Sequence, residues 1–373
     1  MEIVANPSSS AWLQLFFDFA VTNRPCTLSE EWTAEWPSRV CWLRSDGRPD
    51  NDYLRHNYGD LDAPVIRESE CESSLWKLST FLDYVNIPAN ERSGLLYLKD
   101  WHFQQKVGTA MYSPPAFLAP DWVNNEVWTA KPNSPFDGDY RFVYYGVKGT
   151  WTRFHSDVLS SHSWSANVSG CKLWYFVPPG EEKRFMRNGQ LLEDIRERSE
   201  EWEEAGVFSI KQQAGQIIFV PSNWHHQVHN MEDTVSINHN SINASNIRLV
   251  TRFLHVRMHD VKKEIEHLSG IFSEEEMHQN YENMLKGDAR LNMAGLSRLL
   301  ELVIDSRLSS GVDCLICPVH EDIFRCRIGS CWPLPCSCLS STCSACLSFL
   351  ASYELTVASS LQHLLANGRV DSL

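Results

Sequence analysis

His155 and Asp157 stand two residues apart at the end of the β-rich run Tyr140–His155. A further histidine, His226, follows in the run Ile217-Ile-Phe-Val-Pro-Ser-Asn-Trp-His-His-Gln-Val-His229. Two imidazoles and one carboxylate can cap one face of an octahedral metal and leave the other face open. Such a set suits non-haem Fe(II) and oxygen chemistry better than a closed structural zinc site. Side chains alternate along a strand, so His155 and Asp157 would share one face, as would Trp224, His226 and Val228, with His225 on the other. Antiparallel pairing of the two strands would then bring all three donors to one mouth. From the residues alone His225 and His226 both stay open as the distal donor. A His-x-Asp pair by itself is a weak signal; its weight comes from its surroundings.

The first of these is Lys172, in Gly170-Cys-Lys-Leu-Trp174, placed where a barrel would have turned once and returned to the pocket. A buried ammonium requires an anion, and a dicarboxylate cosubstrate would supply one. The Thr152 hydroxyl and the Tyr97 phenol could donate to the same carboxylate. Asn238 and Asn240, on the strand after the distal donor, face inward by alternation. His162, His229 and His239 lie close in sequence to the donors but read as ordinary core or surface histidines.

The elements that must position these groups change in texture along the chain. Residues 1–93 read as a helical region packing on a core, with amphipathic segments at Ser10–Val21 and Glu72–Val85 and a helix start at Ser29-Glu-Glu-Trp. Residues 94–246 carry short apolar runs punctuated by Gly, Pro, Asn and Asp: Leu95–Leu98, Tyr140–Tyr145, Lys172–Val177, Ile217–Val220 and Thr234–Ile237. That spacing predicts a β-sandwich or barrel rather than βαβ units. Within it, the charged Glu181–Ala205 predicts a helical excursion outside the barrel. Helical periodicity returns over residues 247–308. Residues 309–373 form a Cys-rich tail with a short helix at Tyr353–Ala366. Its paired Cys314-x-x-Cys317 and Cys343-x-x-Cys346 could bind zinc, but the Ser- and Pro-rich composition and irregular spacing favour a disordered end.

The assembled motifs resemble the jumonji C-type (JmjC) Fe(II)- and 2-oxoglutarate-dependent oxygenases over residues 10–245. They are Leu96-Tyr97-Leu98, Thr152-x-x-His155-x-Asp157, Gly170-x-Lys172 and Val220-Pro-x-x-Trp-x-His226, with Asn23–Cys26 and Asp52-Tyr-Leu…Tyr58-Gly-Asp before them. The nearest branch is that of the small hydroxylases, which includes an asparaginyl hydroxylase of the hypoxia-inducible factor and a lysyl hydroxylase of splicing factors. The resemblance implies a mainly β fold with flanking helices around a double-stranded β-helix, the jelly roll of cupins. It implies His155, Asp157 and His226 as ligands of Fe(2+), the distal one by its distance from Pro221. It also implies 2-oxoglutarate and O2 as cosubstrates, with Lys172, Thr152, Tyr97, Asn238 and Asn240 around the diacid. The implied reaction is hydroxylation of a protein lysine, with the eukaryotic peptide chain release factor as partner. An Nε-methyl-lysine demethylase and a catalytically silent cupin-like binding protein are the rival readings.

The whole-chain properties are compatible with this. The 373 residues are 43% hydrophobic with 14 tryptophans, the profile of a globular protein. A formal charge of −14 without any basic run argues against nucleic acid or an anionic membrane as partner. No apolar run is long enough for a membrane span and none resembles a signal peptide, so the expectation is a cytoplasmic protein, with the nucleus as a second compartment.

Overall fold

The computed structural model describes residues 2–4, 12–67, 72–129, 134–136, 138–268, 270–313 and 343–369. Eight strands make the centre. Arg141–Gly146, His162–Ser169, Ile217–Val220 and Thr234–Ser241 lie in one sheet; Trp151–His155, Lys172–Val177, Phe208–Gln212 and His225–Asn230 form the other. Successive strands cross from sheet to sheet except Lys172–Val177 and Phe208–Gln212, which pair side by side in the smaller sheet, and the pairing within each sheet is antiparallel, which is the double-stranded β-helix expected. The larger sheet is extended to nine strands by Glu2–Val4 and Cys26–Leu28 on one side. Leu96–Trp101, Asp62–Arg67 and Ser74–Lys77 extend the other. Helical residues outnumber strand residues overall, because helices cover the larger sheet.

The reason for that cover is written in the strands. In His162–Ser169, Trp164, Ala166 and Val168 alternate with Ser163, Ser165 and Asn167; in Thr234–Ser241, Val235 and Ile237 alternate with Ser236, Asn238 and Asn240. Strand side chains point to opposite faces in turn, so one face is apolar and the other polar. The apolar face joins Phe16, Phe19, Phe81, Leu82, Ile247, Val250 and Leu254 of the helices in the main core. The polar face looks into the barrel.

After the barrel come Ile247–Ile265, Glu274–Ala289, Met293–Ser309 and Ser344–Ala366. The last of these is longer than the expected Tyr353–Ala366 and belongs to the folded body rather than to a tail. Leu350, Tyr353, Val357, Ala358 and Leu361 enter the main core. Its Glu354 is 3% exposed and accepts from Trp122 Nε1 at 2.9 Å and from Arg307 Nη2 at 2.7 Å. Cys314–Cys338 lie outside the described residues. Cys343 is partly buried and Cys346 is buried.

Two segments differ from the expectation. Glu72–Val85 is not one helix: Ser74–Lys77 pairs with Asp62–Val65 as an edge strand, and the helix runs from Leu78 to Asn86, where Leu78, Phe81, Leu82 and Val85 keep the amphipathic spacing. Glu181–Ala205 is not a continuous helix either. Two 3₁₀ segments, Glu182–Phe185 and Ile195–Glu201, flank a small hairpin of Met186–Arg187 with Gln190–Leu191. The turn is Asn188-Gly189, with φ of 54° and 81°, the two left-handed residues that close a tight hairpin. The segment is held by a satellite core of Phe154, Val177, Phe185, Leu192, Ile195 and Ala205, whose spacing is not helical.

Candidate active site

The polar interior opens as a cavity of about 770 Å³. At one side His155 and His226 face each other directly in register between antiparallel strands, and Asp157 follows just past the end of the first. One potential ligand atom from each lies within 4.8 Å of the others, a spacing that could hold one metal ion. His155 Nδ1 is 2.7 Å from the Arg153 carbonyl and His226 Nδ1 is 3.0 Å from that of Trp224. A carbonyl can only accept, so both Nδ1 atoms carry the proton and both Nε2 atoms keep a lone pair for a metal. Burial, and then the neighbouring His226, press the His155 pKa down to about 3, so the ring stays neutral well into acid. Asp157 Oδ2 accepts from Ser163 Oγ at 2.6 Å, which orients the carboxylate.

The open choice between the two adjacent histidines is resolved by direction. His225 leaves the opposite face of the strand and packs on Phe154, with ring centroids 5.4 Å apart. His226 alone of the pair joins the cluster.

Lys172 is 3% exposed and its Nζ donates to Ser236 Oγ at 2.6 Å. Among the described residues no carboxylate lies within ion-pair distance of it. Burial, and then the charge of Lys99, lower its pKa to about 7. A cation kept in a dry place without a counterion is costly unless an anion joins it. Burial pushes the Tyr97 phenol up to about 12 against the lowering effect of the neighbouring Asn230 and Thr152, so it keeps its proton and remains a donor. Gly146 makes this packing possible: a Cβ there would overlap Asn230 Nδ2, Thr150 Oγ1 and Tyr97 Cε2. Ser165 Oγ, also on the cavity wall, is buried with no hydrogen-bond partner among the described residues. An uncompensated ammonium, ready hydroxyl donors and an orphaned oxygen fit an acid carboxylate, and the two imidazoles with one carboxylate fit ferrous iron.

All eight residues singled out from the sequence reach this cavity: His155, Asp157, His226, Lys172, Thr152, Tyr97, Asn238 and Asn240 all line it. Thr152 does so against simple alternation. Val228 pairs with Thr152 and His226 with His155, so two residues on one strand oppose one on the other. This bulge at Arg153–Phe154 resets the phase and turns both Thr152 and His155 inward. His162, His229 and His239 serve the framework. His162 accepts from the Ser222 amide at 2.9 Å, His229 stacks on Trp151 at 5.3 Å, and His239 pairs with Asp121 at 2.7 Å.

Ser236, Ser163, Tyr144, Lys99 and Asp100 were missed. Ser236 shares the face of Asn238 and Asn240, and Tyr144 that of Phe142, so alternation could have found both. Asp100 has no such signal.

Residues 142–241 match the family described as JmjC domain, hydroxylase. The chain is 35% identical over 316 residues to 2-oxoglutarate and iron-dependent oxygenase JMJD4 of Danio rerio, covering 79% of this chain and 73% of that protein. Against JMJD4 of Homo sapiens the identity is 35% over 324 residues, with 82% and 76% covered. Against arginine-specific demethylase JMJ20 of Arabidopsis thaliana it is 35% over 279 residues, with 68% and 60% covered.

Proposed function

This chain belongs to the JmjC family of 2-oxoglutarate- and iron-dependent oxygenases, and from that premise we propose that it hydroxylates a lysine side chain of a protein, the eukaryotic peptide chain release factor. The observation that carries the reading is a metal-capable His155–Asp157–His226 group beside the uncompensated ammonium of Lys172 in one open cavity. The choice of lysine, and of the release factor, follows the motif resemblance to the lysyl hydroxylase branch. Such a substrate places the enzyme in the cytoplasm.

Bound iron supplies dioxygen activation coupled to oxidative decarboxylation of 2-oxoglutarate to succinate and CO2. The rest is the work of the protein's own residues. His155, Asp157 and His226 would hold the metal from one side, none of them an easily oxidised thiolate. Lys172 would take the distal carboxylate of 2-oxoglutarate, with Tyr97 and Thr152 donating hydroxyls. Asn238 and Asn240 present amides to the same space, Asn240 held by Ser161 at 3.0 Å.

The test uses the full chain with Fe(II), 2-oxoglutarate, ascorbate and intact release factor, read by mass spectrometry. A gain of one oxygen on lysine supports the reading. The relative named an arginine-specific demethylase favours a second one, removal of an N-methyl group by the same metal chemistry. Loss of a methyl would establish that alternative, and absence of any succinate would favour a silent binding protein.

A further inference from the structure

We propose that Asp100 is the group that recognises the ε-ammonium of the target side chain; this rests on the reading of lysine as the target. A lysine side chain entering the cavity brings its charge with it, and an exposed carboxylate on the cavity lining can pair with that charge. Three carboxylates line the cavity: Asp100, Asp157 and Glu193. Asp157 belongs to the metal-capable group and is held by Ser163. Glu193 is paired with Arg153 at 2.6 Å. Asp100 forms no ion pair among the described residues. Its single hydrogen bond there is from Tyr144 Oη to Oδ1 at 2.5 Å, leaving Oδ2 open to a ligand.

The backbone is arranged to present it. Leu98 pairs with Tyr145 and Trp101 with Val143, so the Leu96–Trp101 strand carries one residue more than its partner between those points. The extra residue falls at Lys99–Asp100, and Asp100 sits at φ 58°, a left-handed position that aspartate tolerates better than most residues. Regular alternation from Tyr97 would send Asp100 to the outer face; the bulge brings Lys99 and Asp100 to the cavity together. Tyr144 then fixes the carboxylate. Burial, and then Asp100 itself, raise the phenol well above its ordinary value, so it stays a proton donor. Lys99 Nζ and Lys172 Nζ each lie 5.9 Å from the Tyr144 ring centroid, and Lys172 would take the distal carboxylate of 2-oxoglutarate.

The experiment measures binding of two probes to the full chain loaded with Zn(II) and N-oxalylglycine, by ligand-observed NMR. The probes are Nα-acetyl-lysine methylamide and its norleucine counterpart, which lacks the ammonium. The wild-type protein is expected to favour the lysine probe by at least about tenfold. In Asp100→Asn and Asp100→Ser the ratio should fall to near one while norleucine affinity is kept, and Asp100→Glu should restore part of it. An unchanged ratio in both neutral variants, an equal loss for both probes, or a wild-type ratio of one overturns the proposal. Lysine preference through Asp100 without hydroxylation of the release factor would sink the lysyl hydroxylase reading and leave the ammonium site standing. Lysine hydroxylation with a ratio indifferent to Asp100 would do the reverse.

Discussion

Lys172 Nζ donates to Ser236 Oγ at 2.6 Å, and among the described residues that hydroxyl is its only side-chain hydrogen-bond acceptor. A neutral hydroxyl offsets little of the cost of burying an ammonium. The site is therefore built for its anion rather than for its own stability. Replacing Lys172 by Met should weaken 2-oxoglutarate binding by roughly a hundredfold. The same change should raise the thermal midpoint of the cosubstrate-free protein. Because burial moves this pKa from 10.5 to about 7, the stabilisation is greatest below about pH 7 and fades as pH rises toward 10.5. Calorimetry of both proteins across pH checks it; a lower midpoint in the variant would count against an uncompensated charge.

The same group predicts how cosubstrate affinity depends on pH. The ammonium is charged below its pKa, and a dianion binds the charged form better. Affinity for N-oxalylglycine in the Zn(II)-loaded protein should be flat below about pH 7. Above that it should fall by up to about tenfold per pH unit. Titration calorimetry from pH 6 to 9 reads this directly, and a flat profile would remove Lys172 from the carboxylate site.

Either His155→Ala or Asp157→Ala should reduce succinate formation to background and leave the far-ultraviolet circular dichroism unchanged. Ser163→Ala is the subtler variant, since Ser163 touches the carboxylate and not the metal position. It should weaken metal affinity by about tenfold to a hundredfold. Mn(II) binding followed by electron paramagnetic resonance separates these variants. Wild-type affinity in Asp157→Ala would exclude the carboxylate as a ligand.

The final helix supplies a stability prediction. Glu354 is raised in pKa by burial, against which Arg307 and Trp122 work. Arg307→Ala would leave that carboxylate buried and unpaired and should cost about 3–5 kcal/mol. Glu354→Gln, which removes the charge but keeps the shape, should cost less. The urea midpoints rank the two; the opposite order would mean that the ion pair is a net stabiliser.

Much of this architecture is legible in the strands themselves. The alternation of Ser163, Ser165, Ser236, Asn238 and Asn240 with Trp164, Ala166, Val235 and Ile237 already describes a barrel with a polar inside and an apolar outside. The hairpin at Asn188-Gly189 was legible too, but the surrounding charge pattern masks it. The helix expected over Glu72–Val85 went astray because Ser74–Lys77 finds a partner in Asp62–Val65, and an available sheet edge overrides local helical spacing.

The sequence by itself determined the donor types, the family motifs and the face to which most barrel residues turn, because alternation is a property of a single strand. Only the tertiary structure decided that Thr152 joins His155 on the cavity side, that Asp100 turns inward, and that Lys172 is left with a lone hydroxyl. A bulge is a mismatch in residue count between two paired strands, and a missing counterion is a property of everything packed around a charge. Neither exists until the chain has folded.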